Sequence, residues 1–344
     1  MAATTLASST TPLRATCLVL YAQHKSAGLA AMHLLNAWLK VAYGRVDVWT
    51  CDNELWDWSF FGCPSAVGEP TNATPSMSHT FPLPRGLPSI GGPRMLVNGL
   101  VLPLAGAAPW ARPGCRWLTI FREPVARMVS ALYYCKQLAA ASQLLLQHDP
   151  HALVPHDPLC GEAHLNLTSA TPLSFARHWG NYAFRELLLH PRLHSLASAE
   201  STPVVTRGPL HRDPVWWVWR RHLQGGDDPT TAAGAANFAA VRRELPHMFD
   251  LIGVVERWDE LCALLNQLLP VPGFDFAAEV TRIDGSHGSA AWKAQQVAAL
   301  VEARAEPAVR RHIEADIALY EGSVLPLFDR QLRMGKWLDQ AIVT

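Results

Sequence analysis

The chain predicts an α/β fold, a central and mostly parallel sheet flanked by helices, and three stretches carry that reading. Cys17 to Ala22, CLVLYA, is a short continuous apolar run of the kind that forms a strand buried on both faces, and a helical pattern follows it. Trp117 to Tyr134, WLTIFREPVARMVSALYY, passes from β-branched apolar sequence through Arg-Glu-Pro into a second helical pattern. There Val125, Met128, Val129 and Leu132 follow the i, i+3, i+4, i+7 spacing of one helix face. Leu251 to Val255 repeats the succession, a strand and then a helix through Leu269. Strands alternating with helices call for parallel strands joined by helical crossovers, with both sheet faces covered.

The other elements follow in order. From Ser26 to Lys40 apolar residues occupy nearly every face, with Leu29, Met32, Leu35 and Leu39 as one row, so this helix is predicted to be well buried. Val46 to Trp49 reads as a second strand, and Cys51 to Gly92, rich in Pro, Ser and Gly, as a long loop. Met95 to Leu102 has β character. Pro124 suits the first turn of the helix after Trp117 to Phe121. Gln147 to Pro172 is a Pro- and His-rich loop, and a helix is expected from about Leu173 to Leu189. Val215 to Leu223 holds Trp216, Trp217 and Trp219, read as a buried amphipathic helix rather than a sugar-stacking surface. Gly225 to Ala235 reads as a flexible break, and two helices fill most of Gln295 to Leu332. No internal repeat and no dividing linker is evident; residues 1–16 are expected to be a disordered N-terminal tail and 17–335 one domain.

Composition limits the function classes. With 344 residues, 49% hydrophobic and 17% charged, the chain can bury a sizeable core and is not disordered. Twenty-nine basic residues balance twenty-nine acidic ones, so no global field favours nucleic acid or an anionic membrane. The longest apolar stretch, Leu96 to Trp110, contains Asn98, two prolines and two glycines, which does not suit a bilayer span. MAATTLASSTTPLRAT has no apolar core and does not read as a signal peptide. Seven cysteines without a Cys-x-x-Cys pair argue against a zinc site and give no clear disulfide framework. His148, His151, His156 and His164 crowd one loop with Asp149, Asp157 and Cys160, but their spacing fits no standard metal pattern, so no metal is expected. Asn72 and Asn166 stand in Asn-x-Thr sequons, which suit a lumenal protein.

Two turns carry chemistry. Arg122 stands at the carboxyl end of its predicted strand, where open α/β sheets bind ligands, with the Ser130 hydroxyl two turns into the helix. A guanidinium and a hydroxyl so placed suit an anion such as a phosphate. From Arg-Glu-Pro alone, the plainer reading of a βα unit with a surface arginine is favoured. The second turn is YAQHKSAGLAAMHLLNAW, where Lys25, Ser26, Ala27 and Gly28 open a helix. Backbone N–H groups and the positive dipole end face a ligand there, and the lysine adds a point charge. The Gly-x-x-x-x-Gly-Lys-[Ser/Thr] order of a Walker A loop is missing.

Arg122-Glu123-Pro124-x-x-Arg127-x-x-Ser130, followed by Ala131-x-Tyr133-Tyr134, resembles the 3′-phosphate motif of sulfotransferases that use 3′-phosphoadenosine-5′-phosphosulfate (PAPS). The likeness is nearest to the Golgi carbohydrate group, which includes the heparan sulfate 2-O type. The resemblance implies that Arg122 and Ser130 hold the donor 3′-phosphate, and Arg127 matches a further motif position. His24-Lys25-Ser26-Ala27-Gly28 is similar to the family's 5′-phosphosulfate loop, which implies a catalytic, donor-binding Lys25 and donor contacts from Ser26, Ala27 and Gly28. Leu29 and Ala30 stand where the family has hydroxyl residues. Asn181 to Leu187, Leu251 to Leu265 (LIGVVERWDELCALL) and His312 to Tyr320 (HIEADIALY) resemble three further family segments in the same order.

The implied fold is a P-loop NTPase-like three-layer fold, with 17–335 as the sulfotransferase domain. The implied activity is sulfuryl transfer from PAPS to a hydroxyl of a carbohydrate acceptor, without a metal, in the Golgi lumen, where the family is usually membrane-anchored. The family's base is often a His in a Gly-His-Val segment; Asn98-Gly99-Leu100-Val101 puts Leu100 there. His79, His24, His211 and Asp213 are other candidates for a base. Two alternatives stand beside this reading: a catalytically impaired protein of the same fold that binds PAPS or its product, and a P-loop kinase or NTPase.

Overall fold

The computed structural model describes residues 17–21, 23, 26–43, 47–50, 94–97, 115–149, 160, 167, 169–188, 190, 193, 225–283 and 290–343. Its strands are β1 (Cys17–Tyr21), β2 (Asp47–Thr50), β3 (Arg94–Val97), β4 (Cys115–Phe121) and β5 (Leu251–Val254). They form one sheet in the order β2-β3-β1-β4-β5, and every pairing is parallel. The mixed α/β class, with a parallel sheet and a majority of helix, therefore agrees with the alternation of patterns in the sequence. The tail 1–16, the long loop 51–92 and the tryptophans at 216, 217 and 219 lie outside the described residues.

One face of the sheet is covered by α1 (Gly28–Tyr43) and α6 (Trp258–Leu268). Leu34 and Leu35 of α1 and Leu261 of α6 meet Leu20, Leu118 and Ile120 of the strands across an apolar interface. Gly253 makes the approach of α6 feasible, since a Cβ there would stand 2.6 Å from a Leu261 methyl. The side chain of Tyr21, next along the strand, points to the opposite face as the two-residue period requires. Its hydroxyl donates to the Glu186 carbonyl at 2.6 Å. At the β5 edge of the described sheet, the Ile252 N–H donates to Gln331 Oε1 at 3.1 Å, a side-chain acceptor for an edge donor.

The second helix, α2 (Pro124–His148), buries the face that the periodicity predicts: Val125, Met128, Val129 and Leu132 are all at most 1% exposed. The expected helix from Leu173 to Leu189 is instead two, α3 (Pro172–Trp179) and α4 (Tyr182–Leu187). Gly180 breaks them apart, with φ 53 and ψ −148, a conformation essentially confined to glycine. Thr171 and Ser174 form a capping box at the start of α3.

The expected flexible break at Gly225 to Ala235 is likewise corrected. Turns occupy its first part, and Thr231 then caps α5 (Ala232–Met248) by accepting from the Gly234 N–H at 2.9 Å. After β5 and α6 come α7 (Phe276–Ile283), α8 (Ala290–Ala305), α9 (Pro307–His312) and α10 (Glu314–Leu319). A π-helical turn, Tyr320–Val324, leads into α11 (Leu325–Val343), so four helices and this turn replace the two expected.

Candidate functional site

Two turns leave the sheet side by side. β1 and β4 are neighbours with Tyr21 opposite Thr119, so the segments after their carboxyl ends emerge together. From β1 the chain goes to β2 at one side of the sheet, and from β4 it goes to β5 at the other. Such a reversal is where open α/β sheets form a ligand crevice.

The turn after β1 is lined by buried polar groups. Thr119 Oγ1 donates to the Tyr21 carbonyl at 2.9 Å, which leaves the hydroxyl oxygen to accept from Gln23 Nε2 at 3.5 Å. That assignment turns Gln23 Oε1 away from Thr119. Gln23 is 2% exposed and Ser26 is 1% exposed, yet Gln23 Oε1 and Ser26 Oγ have no hydrogen-bond partner among the described residues. Unmet buried groups of this kind cost about 1–3 kcal/mol each, so they point to a polar occupant of the turn.

Ala27 adds strain, as the only non-glycine residue with positive φ among the described residues, at 59°. That conformation costs an L-residue about 1–2 kcal/mol and gathers at ligand-binding turns. Gly28 then opens α1, whose first N–H groups have no helical carbonyl to meet. Lys25 and the base candidates His24, His79, His211 and Asp213 lie outside the described residues, as does Leu100.

The turn after β4 is built differently. Glu123 caps α2, its carboxylate accepting from the N–H groups of Val125 at 3.0 Å and Ala126 at 2.9 Å. These donors are thus committed to the chain itself, and an anion here would be met by side chains. Arg122 is half-buried, as is Ser130. Burial pulls the Arg122 guanidinium below its ordinary range, and the carboxylates of Glu256 and Glu123 act in the opposite direction. Glu256, just beyond β5, accepts from the Glu123 N–H at 3.0 Å and from the Tyr320 hydroxyl at 2.9 Å. Arg304 of α8 reaches the Glu123 carboxylate at 2.9 Å.

The other motif residues serve the framework. Arg127 is 1% exposed, is paired with the buried Glu186, and lies 5.8 Å and 5.6 Å from the ring centroids of Trp179 and Tyr182. It faces the core. Asn181 and Asp316 tie two chain segments together reciprocally: Asn181 Oδ1 accepts from the Ala315 N–H at 2.9 Å, and the Asp316 carboxylate accepts from the N–H groups of Ala183 at 3.0 Å and Phe184 at 2.8 Å. Arg185 pairs with Asp227 at 2.5 Å, both sealed from solvent.

Cys135 of α2 is joined to Cys160, a pairing that the cysteine spacing does not specify. Cys160 is therefore no thiol ligand in the His-rich loop, and His148 and Asp149 are exposed at the end of α2. Among the described residues no group of three or more His, Cys, Asp or Glu could hold a metal, and no helix is long and apolar enough to cross a membrane. Comparison with family models, curated proteins and solved structures finds no match to this chain.

Proposed function

We propose that the chain is a PAPS-dependent sulfotransferase of P-loop NTPase-like fold that acts on a hydroxyl group of a carbohydrate. The observation that carries this reading is the adjacency, at the reversal between β1 and β4, of the strained turn at Ser26, Ala27 and Gly28 with the turn at Arg122. Each suits one end of a doubly phosphorylated nucleotide, and both resemble the family's motifs for those ends. The unmet Ser26 hydroxyl and Gln23 carbonyl oxygen fit a polar ligand at the first turn.

PAPS bound there would supply the sulfuryl group. Lys25, with the first N–H groups of α1, would stabilise charge developing on the departing phosphate oxygen, and Ser26 would hold the same end. Arg122 and Ser130 would hold the 3′-phosphate, a charge-assisted contact that also orients the donor. A base must take the acceptor proton. Leu100, at the family's His position, cannot do so. That residue and Leu29 favour the second reading, a protein that keeps the nucleotide site without full activity. Cys135–Cys160 supports an oxidising compartment such as the Golgi lumen, as the sequons at Asn72 and Asn166 do.

Transfer of radiolabelled sulfate from PAPS to a panel of desulfated glycans tests the activity. Label in any glycan supports the enzyme; nucleotide binding without transfer to any of them supports the impaired binder. ATP hydrolysis with indifference to PAPS would overturn both in favour of a kinase or NTPase.

A further inference from the structure

α8 brings a second guanidinium to the turn at Arg122. Arg304 Nη2 bonds Glu123 Oε2 at 2.9 Å, while the Arg304 side chain remains 51% exposed. Further along the same pair of helices, the Tyr133 hydroxyl donates to the Gln295 carbonyl at 2.9 Å, and Tyr133 packs edge-on against Trp292. The two contacts order α8 antiparallel to α2, with the end of α8 at Glu123 and its beginning at Tyr133. Ser130 stands between them in the α2 sequence, along the stretch that α8 spans.

The charges explain why a second cation matters. Glu256 accepts from the N–H of Glu123, the residue next to Arg122, and the two carboxylates bear on the Arg122 charge, which is therefore partly balanced before any anion arrives. Glu123 also occupies the first N–H groups of α2. An arginine has five N–H donors, and one contact to Glu123 leaves the fork of Arg304 able to engage a second anionic group.

We propose that Arg304 is an anion-binding residue of the same site, contributing a guanidinium to the 3′-phosphate that Arg122 and Ser130 hold. This rests on the PAPS reading above. Arg304 neutralises Glu123 and presents its remaining donors to the phosphate.

The test compares the affinity for adenosine 3′,5′-bisphosphate with that for adenosine 5′-monophosphate, which lacks the 3′-phosphate, by calorimetry on the full chain. The wild type should prefer the bisphosphate. Arg304→Ala should reduce that preference about tenfold, the loss expected for one charge-assisted hydrogen bond, and leave the monophosphate affinity unchanged. Arg304→Lys, which keeps the charge, should recover part of the preference. Arg304→Gln gives the same comparison should the alanine variant fail to fold. A variant that keeps the full preference, or loses both nucleotides in parallel, overturns the role of Arg304. A wild type with no preference overturns the donor site itself.

Discussion

Asp316 accepts hydrogen bonds from two backbone N–H groups while sealed from water, and the first effect does not cancel the second. Burial lifts its carboxyl to about 6, against the pull of Arg127, of those two bonds and of Arg185. An aspartate in the unfolded chain titrates near ~3.9, so between roughly pH 4 and 6 this residue binds more proton when folded. Its contribution to stability therefore falls as pH rises through that window, and its cost is fully present above it. The rise to about 6 is worth on the order of 3 kcal/mol. Urea unfolding of the wild type and of Asp316→Asn across this range should show a difference that changes by about this amount, with the wild type gaining on the variant as pH falls. Parallel profiles would show that Asp316 does not titrate there. Arg127, which matches a further position of the motif, is buried against Glu186 and belongs to the framework.

At the scale of elements, Cys135–Cys160 closes a segment of 25 residues between α2 and the approach to α3. Cross-linking a loop of that size restricts the unfolded chain by about 3 kcal/mol, so Cys135→Ala should lower the unfolding free energy by that order and abolish the part of its sensitivity to reductant that this bond carries. A variant as stable as the wild type under oxidising conditions would contradict the pairing. The strands were legible because a short apolar run bounded by turns marks a buried strand locally, although the partners it pairs with lie far away in the chain. Residues 173–189 were not. Their apolar pattern continues across Gly180, where the chain breaks, and Asn181 just after it accepts from the N–H groups of residues 315 and 316, partners that no local pattern signals. The start of α5 was hidden for the opposite reason, because alanines and glycine carry little periodicity and the Thr231 cap is a weak signal alone.

At the scale of the molecule, three segments read separately along the chain meet at one end of the sheet. Arg122 follows β4, Glu256 follows β5 beside it, and Tyr320 arrives on the π-helical turn to bond Glu256. The turn at Ser26 follows β1 on the other side of β4. Strand character placed Arg122 at a strand end, and the resemblance to sulfotransferase motifs made Arg122 and Ser26 candidates. Glu256 lies in the LIGVVERWDELCALL segment, which signals no partner, and Arg304 has no local sign, because its partner is 181 residues away.

In the proposed donor site Arg122 anchors the 3′-phosphate. The most direct test of that role is the thermal unfolding of the wild type and of Arg122→Ala with saturating adenosine 3′,5′-bisphosphate or ATP. The bisphosphate at about 100 times its dissociation constant should stabilise the wild type by about 2.7 kcal/mol, a rise of several degrees. ATP should do little, and Arg122→Ala should lose most of the bisphosphate effect while folding normally. Equal stabilisation of the variant and the wild type, or a response of the wild type to ATP alone, would contradict a 3′-phosphate anchor at Arg122.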